Sequence, residues 1–426
     1  MPATMLPLDF LRFRAGQFLS LLGGRCAFLV LAWWMLVSTG SKAHFAQLAF
    51  VFSAVGFVCL PLLASLADRW PRKWCAVAAD LWTLGGIAAL YLVTVDGVFR
   101  PLITTIIIGT LAAGGSLMLA VSGSIVPMLV DRSDLARAYA MIASLQAIVL
   151  LLAPGLAGYA ADALGLSRTL LLAGALLIVT LFCTLGIRAD TRPVLGDTRN
   201  SIWTWRSSLL DGWKLSTRIR AELDWNLAGA LINGCMVPFS MLIVPVIVFQ
   251  ELQLGMVEAG WFAAATAAGL LIGSRWASWL FRRTIARKTT VAGVALIASG
   301  ALLFAVSATQ WVLLIGSIVS GTGIGIHNVY CAAYRSAATP AAYRGRLSAW
   351  GKWSAQAAVS VGFLLFGILI QHVPSTWCVL AVSAAVFGAA AWLAFSPSIV
   401  ELLRGEPEEK LDFYLSRYPS AFGSVK

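Results

Sequence analysis

Apolar runs long enough to cross a bilayer recur along nearly the whole chain, and no other feature narrows the possible folds as far. Each run is about 20 residues, the length a helix needs to span a hydrocarbon core of roughly 30 Å. The composition agrees: 59% of the 426 residues are hydrophobic and 12% are charged, against about 25% charged in an ordinary soluble chain. The chain therefore reads as an all-α integral membrane protein. The first run, about Phe13 to Val37, is too long for the apolar region of a cleaved signal and has no small-residue cleavage motif after it. It reads as the first span.

Twelve spans are expected, roughly 13–38, 45–66, 75–95, 101–127, 137–160, 167–188, 223–250, 257–281, 289–309, 311–334, 347–371 and 375–396. A polar stretch, 189–222, divides them into two six-helix halves, 1–188 and 223–396, and a polar tail, 397–426, follows. The bases are placed very unevenly. With the N-terminus inside, the outer side holds only Lys42, Arg100 and Arg168, Arg25 and Arg275 fall within spans, and all the rest of the 31 lie inside. The positive-inside rule then puts both termini in the cytoplasm. It also accounts for the net charge of +12 without nucleic acid as a partner. The seven cysteines fall within or at the edges of apolar runs with no C-x-x-C pair, so neither a disulfide framework nor a metal site is expected. There is no G-x-x-x-x-G-K-[ST] loop to bind ATP. No hydrolytic constellation appears either, so no enzyme activity and no cofactor are expected. Gly321, Gly323 and Gly325 sit inside an apolar span, where they read as a helix-packing feature rather than a dinucleotide loop.

Between spans 2 and 3 the chain reads A-S-L-A-D-R-W-P-R-K, Ala64 to Lys73. From the residues alone, Arg69, Arg72 and Lys73 obey the inside rule and Asp68 neutralises one of them. The stretch also resembles the signature G-x-L-a-D-R-x-G-R-K of the major facilitator transporters. The acid and all three bases match, while Ala64 and Pro71 stand at its two glycines. The turn before span 11, T-P-A-A-Y-R-G-R-L-S-A-W from Thr339 to Trp350, resembles the P-x-x-x-R-G-R stretch of the macrolide-efflux and enterobactin-exporter branch. Gly16 to Arg25 resembles the start of that branch, which commonly has an acid where this chain has Gly24. On span 5, A-P-G-L-A-G from Ala153 to Gly158 resembles the G-P-x-x-G-G signature of antiporters, and Pro154, Gly155 and Gly158 are its packing residues. A faint internal repeat places Arg137 and Arg344 at matching turns, before spans 5 and 11.

The resemblance implies the major facilitator fold, with halves that work by alternating access. It implies a cytoplasmic gate drawn from Asp68, Arg69, Arg72, Lys73, Asp80, Arg344 and Arg346. Asp80 is an acid inside span 3, and its expected partner is a base of the same region, Arg72 or Arg14. Arg25 lies near the middle of span 1. It reads either as a tie to a neighbouring helix or as a contact for an anionic or carbonyl-rich cargo. Further candidates for a substrate cavity are Trp33, Trp34, Gln146, Asn233, His327, Asn328, Trp353 and Gln356. His327 is either a hydrogen-bonded structural group or a proton-coupling one, since its side chain titrates near neutrality. The function implied is export of a bulky, partly apolar small molecule, drug or siderophore-like, across a bacterial inner membrane, with H+ as the coupling ion. A monomer among membrane lipids is expected. Uptake of a siderophore or metabolite on the same fold is one alternative, and a lipid flippase or membrane sensor another.

Overall fold

The computed structural model describes residues 6–67, 69–131, 134–192, 201–280, 285–340 and 343–422. Every regular element among them is helical. In hydrocarbon each backbone N–H and C=O must find its partner within the protein, and a helix achieves this inside one segment. Eleven helices are long and apolar enough to cross a membrane. They are α1 (Leu8–Thr39), α2 (Lys42–Ala67), α3 (Arg72–Thr94), α4 (Pro101–Leu129), α5 (Leu135–Leu185), α7 (Arg220–Pro238, continued to Glu251), α9 (Met256–Leu280), α10 (Ala286–Val306), α11 (Gln310–Ala338), α12 (Arg344–His372) and α13 (Ser375–Phe395).

The difference between eleven helices and twelve expected spans lies in α5. Its 51 residues would reach about 76 Å if straight, more than twice the apolar core. Gly165 interrupts it with φ 71° and ψ 179°, a backbone conformation only glycine adopts readily. The two arms on either side are the expected spans 5 and 6, which brings the described residues to twelve spans, all of them α-helical. The helix α7 is irregular in another way. Beyond Pro238 it passes through π-helical turns at Phe239–Ile243 and Ile247–Glu251, separated by the three-residue α8 (Val244–Val246).

The chain forms two compact units. One is Met1–Trp205 with the short segment Gly255–Gly260, and the other is Arg206–Leu254 with Trp261–Lys426. Inside the first, α1 packs on α5, α2 on α4, and α3 on both α4 and α5. Inside the second, α7 packs on α12 and α13, and α10 on α11 and α13. Numbered from the start of each half, the first span packs against the last and the third against the fourth and last, in both.

Close packing in lipid depends on small residues, because there is no hydrophobic pull between helices. In the second unit α11 shows how this works. A Cβ on Gly321 would fall 2.1 Å from the Thr266 carbonyl oxygen, and one on Gly325 would fall 2.4 Å from that of Leu270, both on α9. Gly323 turns the other way, where a Cβ would fall 2.4 Å from the Gly293 carbonyl oxygen on α10. The triplet is therefore the seam along which α11 is clamped between two neighbours.

Two segments that read as polar loop and tail are structured. Ser201–Arg218 forms α6 within the stretch between the halves. Gly212 comes against α12, where a Cβ would fall 2.6 Å from the Arg346 carbonyl oxygen. Beyond α13 the tail folds as α14 (Pro397–Leu402), a 3₁₀ turn at Pro407–Lys410, α15 (Phe413–Arg417) and α16 (Pro419–Phe422). It is docked on the second unit. Tyr414 is fully buried and donates to Glu222 Oε2 at 3.1 Å. Tyr334 donates to the Gly405 carbonyl at 2.7 Å, and the Asp412 N–H donates to the Ala337 carbonyl at 3.0 Å. Burial, then the Glu222 carboxylate, pushes the Tyr414 phenol well above its ordinary pKa, so it remains a donor throughout the physiological range.

Two expectations follow. Gly323→Leu must displace the α10 backbone, an overpacking cost of about 1–3 kcal/mol or more. Its melting temperature in detergent should fall clearly, while Gly388→Ala, where a Cβ meets nothing within 4 Å, should leave it unchanged. Tyr414→Ala removes a buried ring, a loss of about 3–5 kcal/mol, and Tyr414→Phe removes only the hydroxyl bond to a carboxylate, about 1.5–3 kcal/mol. Hydrogen exchange across residues 397–422 should rise in that order, with the alanine variant fastest.

Candidate functional site

A network of polar side chains in the first unit lies where α1 and α3 begin and α5 ends. The segment after α5 is strapped across the other two helices. Asp9, in the first turn of α1, accepts from the backbone N–H groups of Arg188 at 2.9 Å and Ala189 at 2.8 Å, and from Arg12 Nη1 at 3.3 Å. Arg12 Nη1 also donates to the Gly186 carbonyl at 3.0 Å. From the start of α3, Lys73 Nζ donates to the Ile187 carbonyl at 2.6 Å, and its backbone N–H donates to Thr191 Oγ1 at 3.0 Å. The Arg72 N–H donates to the Thr191 carbonyl at 3.0 Å.

The gate candidates divide accordingly. Asp68 lies outside the described residues. Arg69 is exposed. Arg72 is buried, and Nη1 reaches the Trp70 carbonyl at 3.2 Å. Pro71 keeps the turn tight, its carbonyl accepting from the N–H groups of Trp74 at 3.0 Å and Cys75 at 3.2 Å. Asp80 is 2% exposed, and its partner is not the expected base. The Thr184 hydroxyl, on the last turns of α5, donates to Asp80 Oδ2 at 2.8 Å. Arg14 instead lies over the rings of Phe10 and Phe13, 5.8 and 5.1 Å from their centroids. In the second unit Arg344 is exposed, whereas Arg346 faces Asp211 of α6 at 3.9 Å and lies over the Tyr343 ring.

The cavity candidates also separate. Arg25 is exposed on α1, with no hydrogen bond or ion pair to it among the described residues. Gln146 is exposed on α5. Trp33 and Trp34 are half-buried, and Trp34 meets Phe99 edge-on at 6.0 Å near the far end of α1. Phe99 also contacts His44 at 5.5 Å, so this tryptophan belongs to an aromatic cluster by a loop. In the second unit Asn233 is exposed, its amide donating to the Gly229 carbonyl one turn back at 2.8 Å. Asn328 is exposed, but the adjacent His327 is 6% exposed and stacks on Trp225 at 6.2 Å. A helix turns 100° per residue, which puts these neighbours on different faces. Trp353 and Gln356 are half-buried on α12, and Trp353 meets Trp350 at 5.5 Å. Pro154 and Gly158 face the segment Gly255–Gly260 counted with the first unit. A Cβ on Gly158 would fall 2.7 Å from Val257 Cα, and one on Gly260 would fall 2.7 Å from the Pro154 carbonyl oxygen. Gly155 meets nothing within 4 Å.

Sequence reasoning missed a buried network in the second unit. Glu222, on the first turn of α7, forms an ion pair with Arg335 near the end of α11. Asn226 sits beside it, accepting from Arg335 Nη2 at 3.1 Å and donating to Ser216 Oγ at 3.0 Å. Tyr414 completes the set. A second buried acid, Asp224, accepts from Ser396 at 2.7 Å and Ser398 at 2.5 Å, just after α13. Arg287, at the start of α10, donates to the Ala394 carbonyl at 2.5 Å. The last two ties repeat the first unit. In each half an acid near the start of the first span holds the chain after the last span, and a base at the start of the third span caps a carbonyl there.

Comparison with known proteins places this geometry. The family model of the Major Facilitator Superfamily matches residues 15–350 and 226–424. Inositol transporter 4 of Arabidopsis thaliana is 29% identical over 114 residues, 26% of this chain and 19% of that one. Probable inositol transporter 3 of the same plant is 27% identical over 112 residues. The match thus spans about a fifth of each relative. Among solved structures, the nucleoside transporter NupG superposes with a TM-score of 0.73 at 16% identity, covering 91% of this chain and 99% of that one. A bacterial homologue of the iron transporter ferroportin, inward-facing, gives 0.69 at 18%, covering 93% and 98%. A peptide transporter POT bound to alafosfalin gives 0.75 at 14%, covering 95% and 97%. At such identities the likeness is one of fold. With the family model matched over most of its length and twelve spans in two units, the chain belongs to the Major Facilitator Superfamily.

Proposed function

We propose that this transporter is a secondary active exporter of a bulky, partly apolar small molecule, drug or siderophore-like, at a bacterial inner membrane. It works by alternating access with both termini in the cytoplasm, and H+ is the coupling ion. The observation that carries the reading is Arg25, an exposed guanidinium on a membrane-spanning helix with no partner among the described residues. A charge at such a position is costly and marks a functional path by default. The exposed amide of Gln146, in the same unit, supplies a neutral hydrogen-bonding group for that cargo. The direction of transport is supported by the exporter-like stretches Gly16 to Arg25 and Ala153 to Gly158. Asp68, Arg69 and Arg72 act as the gate, with Lys73 and Asp80 holding their own unit together behind them.

A second reading, uptake of a small polar metabolite, has the short similarity to two inositol transporters in its favour. Purified protein in sealed vesicles separates the two. Export predicts that protein with its cytoplasmic face outward concentrates a cargo inside when the lumen is acidic. It also predicts that collapsing the pH difference stops the accumulation. Accumulation of inositol under the opposite gradient supports uptake.

Two substitutions test the residues. Arg25→Ala should weaken cargo binding about 10-fold or more, the loss of one charge-assisted hydrogen bond, and an unchanged dissociation constant would remove Arg25 from the site. Asp68→Asn should lower the transport rate while the amount of inserted protein stays the same, and an unchanged rate would remove it from the gate.

A further inference from the structure

The strapped end of the first unit encloses an open cavity of about 820 Å³. Arg12, Lys73 and Arg188 line it, and so do Val179, Phe182 and Leu185 on the last turns of α5. The polar wall has a definite sign. The carboxylate beside it, Asp9, already accepts from two backbone N–H groups and from Arg12. The carbonyls of Gly186 and Ile187 accept from Arg12 and Lys73. These acceptors are therefore occupied, and three bases against one carboxylate leave the cavity positively charged. The next charges along the chain, Asp190 and Arg192, cancel one another at 4.0 Å.

The apolar wall continues away from the cavity as a stripe. Leu171, Ile178, Val179, Phe182 and Leu185 are all exposed, and Phe182 most so at 68%. Their spacing keeps them on one face of α5. From Leu185 back to Leu171 the stripe runs about 21 Å at 1.5 Å per residue, close to the length of an extended fatty-acyl chain. A cationic cup at the end of a membrane helix, opening onto an apolar track of that length, complements the anionic headgroup and one acyl chain of a phospholipid. Basic pockets between spans recognise such headgroups.

We propose that Arg12, Lys73 and Arg188 form a binding site for one anionic phospholipid, its phosphate among the three bases and an acyl chain along Val179 and Phe182. The lipid would brace the strap from outside, because two of its three bases also hold the segment after α5. Arg188 is the clean probe. Its structural bond runs through its backbone N–H, so changing the side chain removes charge from the cavity and leaves that bond in place.

The test is native mass spectrometry of the full-length protein with phosphatidylglycerol and phosphatidylcholine of matched chains. Wild type should retain one phosphatidylglycerol in preference to phosphatidylcholine. Arg188→Gln should lower its affinity about 5-fold, the effect of one base at a membrane surface. Arg12→Gln, Lys73→Gln and Arg188→Gln combined should abolish the preference, while Arg188→Lys keeps it. Equal retention in wild type and Arg188→Gln would overturn the site. Displacement of phosphatidylglycerol by equimolar inorganic phosphate would also overturn it, since the apolar track would then contribute nothing.

Discussion

The structure depends on one constraint: a helix in hydrocarbon satisfies its own backbone but gains no hydrophobic pull towards its neighbours. Contact between spans must come from shape, and the places where shape is supplied are visible. On α11 three glycines at every second position let α9 and α10 approach from different sides. On α1, Gly16 and Gly23 receive the second arm of α5, where an added Cβ would lie 3.1 Å from Cys183 Cβ and 3.2 Å from Leu176 Cδ1. The same constraint drives strong hydrogen-bonding groups to helix ends, where backbone groups are left without intrahelical partners. Those ends are where the two halves reveal their common plan.

In the first half Asp9 holds the backbone after span 6 and Lys73 caps the Ile187 carbonyl. In the second Asp224 holds Ser396 and Ser398 after span 12, and Arg287 caps the Ala394 carbonyl. The repeat is one of position rather than residue type, since backbone N–H groups serve in one half and serine hydroxyls in the other. Each half thereby fixes the ends of its first, third and last spans to one another. Such bracing ties each six-helix unit together, as the proposed alternating access requires of it. The second half carries one addition, the tail, whose Tyr414 closes over the Glu222–Arg335 pair.

Much of this was legible in the sequence, and the physics says why. Span number and type follow from apolar run length. The break between spans 5 and 6 stood at Gly165, in a short interval left between two runs. The glycine triplet of α11 read correctly as packing because its context was apolar throughout. What was not legible are contacts between residues far apart in the chain. Asp80 and Thr184 are 104 positions apart, and Glu222 is 113 from Arg335 and 192 from Tyr414. No local pattern joins them. A buried carboxylate attracts a base more strongly than a hydroxyl, so local sequence points Asp80 to Arg72 or Arg14 rather than to Thr184. The helix Ser201–Arg218 is amphipathic, with apolar residues on one face and too polar overall to count as a span, and α12 packs against it at Gly212. His327 and Asn328 are neighbours in sequence, yet one residue of helix rotation buries the first and exposes the second.

Movement of a small molecule out of the cell is the function proposed for this family member. The most direct measurement is a comparison of metabolites inside and outside cells of the wild type and of a strain lacking the protein. At least one compound should build up inside the deletion strain and be depleted from its medium. Unchanged medium, with a supplied nutrient no longer entering the cells, would contradict it.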